Sequence, residues 1–198
     1  MHYDDPYPFW HPKAHHLIKF ESWQKDSVYI GGHAKARFFL ENWKRYDWGS
    51  QSFFEAWADA WISGSQPGIN HLGTQAELLE LHTAMKDEHD CRQSMTTEEL
   101  EIFDSFNFPL TIYRGVALEK RSHLRPWFAS GYSWTTDPNC AAFFANRNNP
   151  DHAAILTAVL PCPPVAYFNG RQEREVVIHD GMIEDYEVIW DKGSPSGK

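Results

Sequence analysis

Residues 168–178 read FNGRQEREVVI, a polar turn with one glycine that runs into an apolar segment. In an extended chain successive side chains point to opposite faces, so Glu173 and Glu175 project the same way while Arg174 points away. The apolar run 176–178 is typical of a strand that is buried on both faces. The stretch therefore predicts two carboxylates delivered to one patch by one strand, although a charged strand end that faces water would give the same pattern.

Two earlier strand-like segments also carry polar side chains where core residues are expected. In LTIYRGV, Arg114 continues the face formed by Leu110 and Ile112, and in GYSWTT, Ser133 and Thr135 share one face. A buried arginine needs an anionic partner. Guanidinium groups suit phosphate oxygens, hydroxyls bind sugars, and a carboxylate can stabilise a positively charged sugar carbon. Together the three segments predict a cleft for an anionic ligand that carries a sugar.

The segments that surround these positions make the C-terminal half rich in β-structure. Five strands are predicted, at 110–116, 131–136, 154–160, 175–178 and 186–190. One helix interrupts them, because Asp137 is a helix N-cap residue and Pro138 suits the first helical position.

The N-terminal half carries helical patterns instead. Aromatic residues recur on one face at Phe38, Phe39, Trp43, Tyr46, Phe53, Phe54, Trp57 and Trp61. Such a stripe could line a binding groove, but packing in a core is favoured. The capping-box patterns TQAE at 74–77 and TTEE at 96–99 begin two more helices, which gives four helices within 34–106.

These patterns predict an α+β fold. A helical N-terminal region covers 1–108 and a β-rich catalytic core covers 109–191, and the two together form one compact domain of ordinary size. Residues 192–198, rich in Gly, Ser and Pro, form a flexible tail.

The composition of the chain limits which partners and which cellular compartment are expected. The net charge of −9 gives no overall electrostatic footprint for nucleic acid, although a local basic groove remains open. The three scattered cysteines indicate neither a disulfide framework nor a C-x-x-C metal motif, which favours a reducing compartment. With no leader pattern and no apolar run of membrane-spanning length, we expect a cytoplasmic protein without membrane contact, and export without a cleaved signal stays open.

No metal is predicted, because the N-terminal histidines (His2, His11, His15 and His16) lack a companion cluster with ligand spacing.

The motifs YRG at 113–115, GYSWT at 131–135 and EREVV at 173–177 resemble those of the mono-ADP-ribosyltransferases of the arginine-serine-glutamate class, which includes bacterial toxins and phage enzymes. The resemblance covers residues 110 to 190 and leaves the helical half without a family motif. It implies a core of two small sheets around an NAD cleft, with the helical region packed on that core. The second motif departs from the usual Ser-Thr-Ser, since Trp134 stands in the middle and Thr135 in the third position.

The resemblance also implies a role for each motif residue. Arg114, with Gly115, would hold the phosphates or the nicotinamide ribose of NAD, and Ser133 with Thr135 would order the cleft around the ribose. Glu175 would be the catalytic glutamate that stabilises the oxocarbenium ion as nicotinamide leaves.

The resemblance assigns a second group of residues to the acceptor. Glu173 would lie beside the acceptor, which in relatives with Glu-x-Glu is often a protein arginine. The turn before it would recognise the target through Phe168, Arg171 and Gln172.

Several acceptors use the same residues. ADP-ribose would go to a macromolecule, with protein favoured over nucleic acid, or to water, which would make the protein an NAD glycohydrolase. An inhibitor or antitoxin protein is a further class of partner. A reading of another class is an inactive binding or immunity module, against which the intact Arg114, Ser133 and Glu175 argue.

Overall fold

The structure, a computed structural model, describes residues 18–30, 32–47, 49–63, 81, 91–118, 132–147, 150–179 and 181–192. The chain divides into two compact units, Met1–Ser94 and Met95–Lys198. The predicted boundary at 108/109 lies later in the chain than this division. The helix that follows Thr96 belongs with the strands, because Met95 and Glu99 bond to the backbone of Tyr167 and Asn169.

The architecture is α+β, as predicted. Five α-helices lie within the described residues: α1 Trp23–Asp26, α2 Gly32–Asn42, α3 Gln51–Ser63, α4 Thr97–Asp104 and α5 Pro138–Asn146. The described strands are β1 Leu110–Leu118, β2 Ser133–Thr135, β3 His152–Leu160, β4 Ala166–Phe168, β5 Glu175–Val177 and β6 Tyr186–Lys192. The helix predicted after the capping box at 74–77 lies outside the described residues, apart from the buried Leu81.

The first unit has an aromatic core. All eight residues of the predicted aromatic stripe are buried, which confirms that the stripe packs inward. Trp23 makes edge contacts with Phe39 and Tyr46 at ring-centroid distances of 6.3 and 5.8 Å. The buried Asp26 carboxylate accepts hydrogen bonds from the Tyr46 hydroxyl and from the backbone of residues 19 and 20. Burial and the neighbouring Asp26 raise the pKa of the Tyr46 hydroxyl, which therefore stays a hydrogen-bond donor.

The strands of the second unit form one antiparallel sheet with the order β4-β5-β2-β1-β3-β6. The expectation of two small sheets is corrected here, since β2 pairs with both β5 and β1. The two pairings are unequal. Strand β1 pairs with β3 over nine positions, whereas its described pairing with β2 is the single pair Tyr113↔Thr135. The sheet is therefore two three-stranded halves joined at a narrow point.

Helix α5 packs directly on β1 at Gly115. A Cβ atom on Gly115 would lie 1.9 Å from the Ala141 carbonyl oxygen and 2.6 Å from the Ala145 backbone nitrogen. Both alanines are fully buried, and Ala153 and Ile155 of β3 complete the cluster. Asp137 caps this helix by accepting a hydrogen bond from the Asn139 backbone, and Pro138 occupies its first position, as predicted. The glycine is required by the close approach of helix and strand backbones.

Both edges of the described sheet are short or irregular. Strand β4 was not predicted, because three residues between a proline-containing loop and a polar turn carry no periodic signal. Its Tyr167 N–H donates to the Met95 sulfur at 3.2 Å instead of to another strand. The opposite edge strand, β6, exposes Val188, Ile189 and Trp190 and has a register shift against β3.

Within the described ranges, the helices are too short or too polar to cross a bilayer.

Candidate active site

The three polar positions singled out in the sequence lie on neighbouring strands. Arg114 lies on β1, Ser133 begins β2 and Glu175 begins β5. These strands are adjacent in the sheet, and the pairs Tyr113↔Thr135 and Thr135↔Glu175 fix their register. The sheet therefore brings together residues that are 19 and 42 positions apart in the chain.

A hydrogen-bond chain links these three residues across the strands. The Arg114 Nη1 donates to the Ser133 carbonyl oxygen, and the Ser133 hydroxyl donates to Glu175 Oε1. Glu175 is only 8% exposed, so its carboxylate meets Ser133 in surroundings with little water. The Ser133 hydroxyl thus holds the Glu175 carboxylate in one orientation, and the Arg114 guanidinium holds the backbone of Ser133.

The backbone of β2 explains why an arginine is needed here. Tyr132 O and Thr136 N both bond toward β5, to Ile178 N and Arg174 O. Because backbone groups alternate in direction along a strand, the Ser133 carbonyl points toward β1. Strand β1 offers it no register partner, and the Arg114 guanidinium binds it instead. Arg114 therefore satisfies the carbonyl at the point where the two halves of the sheet separate.

Arg114 lies in apolar surroundings that disfavour its charge. Its strand neighbours Ile112 and Val116 are buried, as is Leu156 directly opposite it on β3. Burial lowers the pKa of Arg114 to about 10, and the negative charge of Glu175 acts in the opposite direction. At neutral pH the guanidinium is still charged. Its Nε is buried and has no hydrogen-bond acceptor among the described residues, which is uncommon for a buried donor.

Thr135 serves the turn that precedes β5. Its hydroxyl donates to the Glu173 carbonyl oxygen at 2.8 Å and accepts from the Asp137 N–H at 3.1 Å. Thr135 is only 5% exposed, and protein groups occupy its single donor. The observed role is to hold the turn, whereas the sequence prediction placed Thr135 among the NAD-binding residues.

The turn 169–174 connects β4 to β5 and carries Glu173. It contains the short 3-10 helix Gly170–Gln172, and Gln172 and Arg174 have left-handed φ values of 61° and 46°. Such values are unfavourable for residues with side chains and persist only where surrounding contacts hold them. The Glu173 carbonyl receives two of these contacts, from Thr135 and from the Cys140 thiol at 3.2 Å.

The three residues predicted to recognise the acceptor differ in how far they are buried or described. Phe168 pairs with Glu175 in the β4–β5 ladder and is only 1% exposed, so its ring is covered by the protein itself, and its role in acceptor recognition stays a prediction. Gln172 is exposed. The side chain of Arg171 lies outside what the structure describes. The neighbouring Arg174 is exposed and lies 3.7 Å from the Asp137 carboxylate, a weak surface ion pair.

Cys140 adjoins the site, and its surroundings favour the neutral thiol. Burial is the main cause that raises the pKa of its thiol, and the carboxylates of Glu173, Asp137 and Glu175 act in the same direction. The Thr135 hydroxyl partly opposes them. Since the thiolate is the reactive form, a raised pKa keeps the group as a neutral donor to the Glu173 carbonyl. No local sequence pattern predicts this contact, because it joins residues 33 positions apart.

The described residues contain no cluster of three or more side chains suited to holding a metal ion. The four N-terminal histidines lie outside the described residues.

The sequence matches no protein-family model, and no curated protein or solved structure is significantly similar to it.

Proposed function

We propose that the protein is a mono-ADP-ribosyltransferase that cleaves NAD and transfers ADP-ribose to a macromolecule, with a protein arginine as the preferred acceptor. The hydrogen-bond chain from Arg114 through Ser133 to Glu175 carries this proposal. It joins a phosphate-binding cation, a hydroxyl and a carboxylate, the three groups that an anionic dinucleotide with a reactive ribose would require. The buried Nε of Arg114, which has no acceptor among the described residues, fits a bound phosphate or ribose oxygen.

Glu175 would act on the glycosidic bond of NAD. When the bond between the ribose C1′ and nicotinamide breaks, its electron pair leaves with nicotinamide and positive charge develops on the sugar. A carboxylate that is already oriented and only 8% exposed stabilises this charge more than it stabilises the neutral sugar. The Ser133 hydroxyl fixes the orientation of the carboxylate before the substrate arrives.

Glu173 would act on the acceptor. It precedes β5 by two positions, and its backbone carbonyl is held by Thr135 and Cys140. An acceptor guanidinium is a poor nucleophile because its pKa is very high. A neighbouring carboxylate orients it and takes its proton as the new bond to C1′ forms.

The test compares wild type with Glu175→Gln and Glu173→Ala. We expect Glu175→Gln to lower nicotinamide release from NAD by at least about a thousandfold, because the charge that stabilises the oxocarbenium ion is lost. Glu173→Ala should keep hydrolysis and lose transfer. Nicotinamide is quantified by chromatography, and radiolabelled NAD with a cell lysate shows which fraction receives ADP-ribose.

Glu101→Gln is a matched control, because Glu101 is an exposed carboxylate on α4 that takes no part in the hydrogen-bond chain. Wild-type rates in Glu175→Gln would refute the assignment. Label in nucleic acid, or only in free ADP-ribose, would move the function to a nucleic-acid transferase or to an NAD glycohydrolase. No nicotinamide release by wild type would favour an inactive binding module.

A further inference from the structure

Glu99 is a buried carboxylate that faces two ways. Its Oε2 accepts from the Thr96 backbone N–H and the Thr96 hydroxyl, both at 2.9 Å, which completes the capping box of α4. Its Oε1 accepts from the Asn169 backbone N–H at 2.7 Å, across 70 positions of sequence. A capping box needs only the bond from the Thr96 N–H to the Glu99 side chain and the bond from the Glu99 N–H to the Thr96 hydroxyl oxygen, so the Asn169 bond is additional to it. Because Glu99 as a whole is only 8% exposed, burial of its carboxylate has a large desolvation cost, which the Asn169 bond helps to offset.

Asn169 is the first residue of the turn that carries Glu173. Its own carbonyl accepts from Gln172 N at 3.0 Å, and the next carbonyl, that of Gly170, accepts from Glu173 N at 3.2 Å. A shift of Asn169 would therefore pass to Glu173 through two successive backbone hydrogen bonds.

The far end of the turn is held independently. Thr135 and Cys140 bond to the Glu173 carbonyl, and Thr136 N bonds to the Arg174 carbonyl. Glu175, one position further, is paired on both sides in the sheet, with Thr135 and Phe168. Glu99 is thus the side chain that fixes the near end of the turn, while the ladder fixes Glu175 without it.

We propose that Glu99 is a positioning residue of the active site, whose carboxylate holds Asn169 and thereby sets where Glu173 meets the acceptor. This inference rests on the proposed transferase function. It predicts different effects on Glu173 and Glu175. Loss of the Glu99 contact disturbs the acceptor step through Glu173 and leaves NAD cleavage by Glu175 nearly unchanged.

The experiment uses the full chain as wild type, Glu99→Ala, Glu99→Gln and Thr96→Ala. Thr96→Ala is the matched control, because it weakens the same helix cap but keeps the Glu99 bond to Asn169. Each protein is incubated with NAD and N-acetylarginine amide, a small guanidinium acceptor, and the ratio of ADP-ribosylated product to free ADP-ribose is measured. Amide hydrogen exchange of residues 169–173 is followed in parallel.

We expect Glu99→Ala to lower the product ratio by at least about tenfold, as small misplacements of a catalytic group do, with total nicotinamide release within about twofold of wild type. Glu99→Gln, which keeps one oxygen acceptor, should fall between, and it replaces Glu99→Ala in the comparison if that variant does not fold. Thr96→Ala should keep the wild-type product ratio, and amide exchange at residues 169–173 should stay as slow as in wild type.

The inference is overturned if Thr96→Ala and Glu99→Ala change the ratio equally, or if neither changes it. A wild type that releases no nicotinamide, or makes no product with this acceptor, would count against the proposed function alone. In that case the exchange data decide the matter, and equal protection of residues 169–173 in Glu99→Ala and Thr96→Ala removes the role of Glu99.

Discussion

Arg114 holds a positive charge in surroundings that oppose it. Folding lowers the pKa of its guanidinium to about 10, first through burial, with the negative charge of Glu175 acting against the change. The unfolded chain therefore binds this proton more tightly than the folded chain. Stability should rise as the pH increases above about 10 toward the ordinary pKa of an arginine, and the cost of burying the charge is fully present at neutral pH. An arginine whose charge is costly to bury, and whose buried Nε–H has no acceptor among the described residues, is expected at a binding site.

A double-mutant cycle tests whether Arg114 and Glu175 share this dry environment. Arg114→Met and Glu175→Gln should each lower the free energy of unfolding, since each leaves the partner charge buried without compensation. The double variant should be less destabilised than the sum, with a coupling energy of about 1–3 kcal/mol. Urea unfolding at pH 7 gives all four values.

The exposed pair of Arg174 and Asp137 is the control for this cycle. The two groups lie 3.7 Å apart, and the arginine side chain is 58% exposed. Solvent screens such a pair, so the coupling between Arg174→Met and Asp137→Asn should stay below about 1 kcal/mol. Equal coupling energies in the two cycles would show that solvent screens the charges of Arg114 and Glu175 as strongly as it screens the surface pair.

At the scale of elements, one helix and one hairpin position the site. Helix α5 lies on β1 at Gly115, and its first turn supplies Asp137 and Cys140 to the neighbourhood of the turn 169–174. The β4–β5 hairpin places Glu175 in the ladder and Glu173 in the turn, so the two carboxylates are held by different kinds of contact. A ladder residue moves only with its sheet, whereas a turn residue depends on the few side chains that bond to it.

Gly115→Ala should separate α5 from β1. The new methyl group would lie 1.9 Å from the Ala141 carbonyl oxygen, a backbone atom that cannot move aside as a side chain can. We expect a loss of about 3 kcal/mol in the free energy of unfolding, measured with urea, together with weaker NAD cleavage. Ala141→Gly should not rescue the variant, because the overlap is with the carbonyl group.

Gly181→Ala provides the comparison. Gly181 has a φ of 81° with nothing within 4 Å of the added carbon, so that variant should lose only about 1 kcal/mol from backbone strain. If Gly115→Ala is no less stable than Gly181→Ala, direct backbone contact between α5 and β1 is not the reason for the glycine.

For the whole molecule, the net charge of −9 governs long-range encounters. A phosphate backbone is repelled by this charge, and non-specific nucleic-acid binding depends on the number of phosphates that cations neutralise. The exposed Arg174, beside the proposed acceptor turn, lies near Asp137, which reduces its local positive field. The net charge therefore counts against a nucleic-acid acceptor and agrees with the proposed protein acceptor.

We predict that the protein binds random-sequence DNA and RNA with a dissociation constant weaker than about 10⁻⁴ M at physiological salt, the weak end of non-specific binding. Fluorescence anisotropy of labelled oligonucleotides between low and physiological salt measures the affinity and its salt dependence. Micromolar binding with a steep salt dependence would point instead to a basic groove and to a nucleic-acid acceptor.

The sequence by itself determined the α+β class, the inward-facing aromatic stripe, the helix that begins at Pro138 and the capping box at Thr96. These follow from local rules, namely hydrophobic periodicity and the chemistry of helix ends, which act over a few residues. The same rules singled out Arg114, Ser133 and Glu175, because polar side chains interrupt otherwise apolar strands.

Only the tertiary structure decided the order of the strands, the single sheet in place of two, the burial of Phe168 and the placement of Gly115 against α5. It also decided that Thr135 and Glu99 hold the turn at its two ends, through Glu173 and Asn169. These contacts join residues tens of positions apart, and each depends on which strands are neighbours. Local periodicity carries no information about that choice, since the free energy that selects it comes from packing and hydrogen bonds formed only when the whole sheet is assembled.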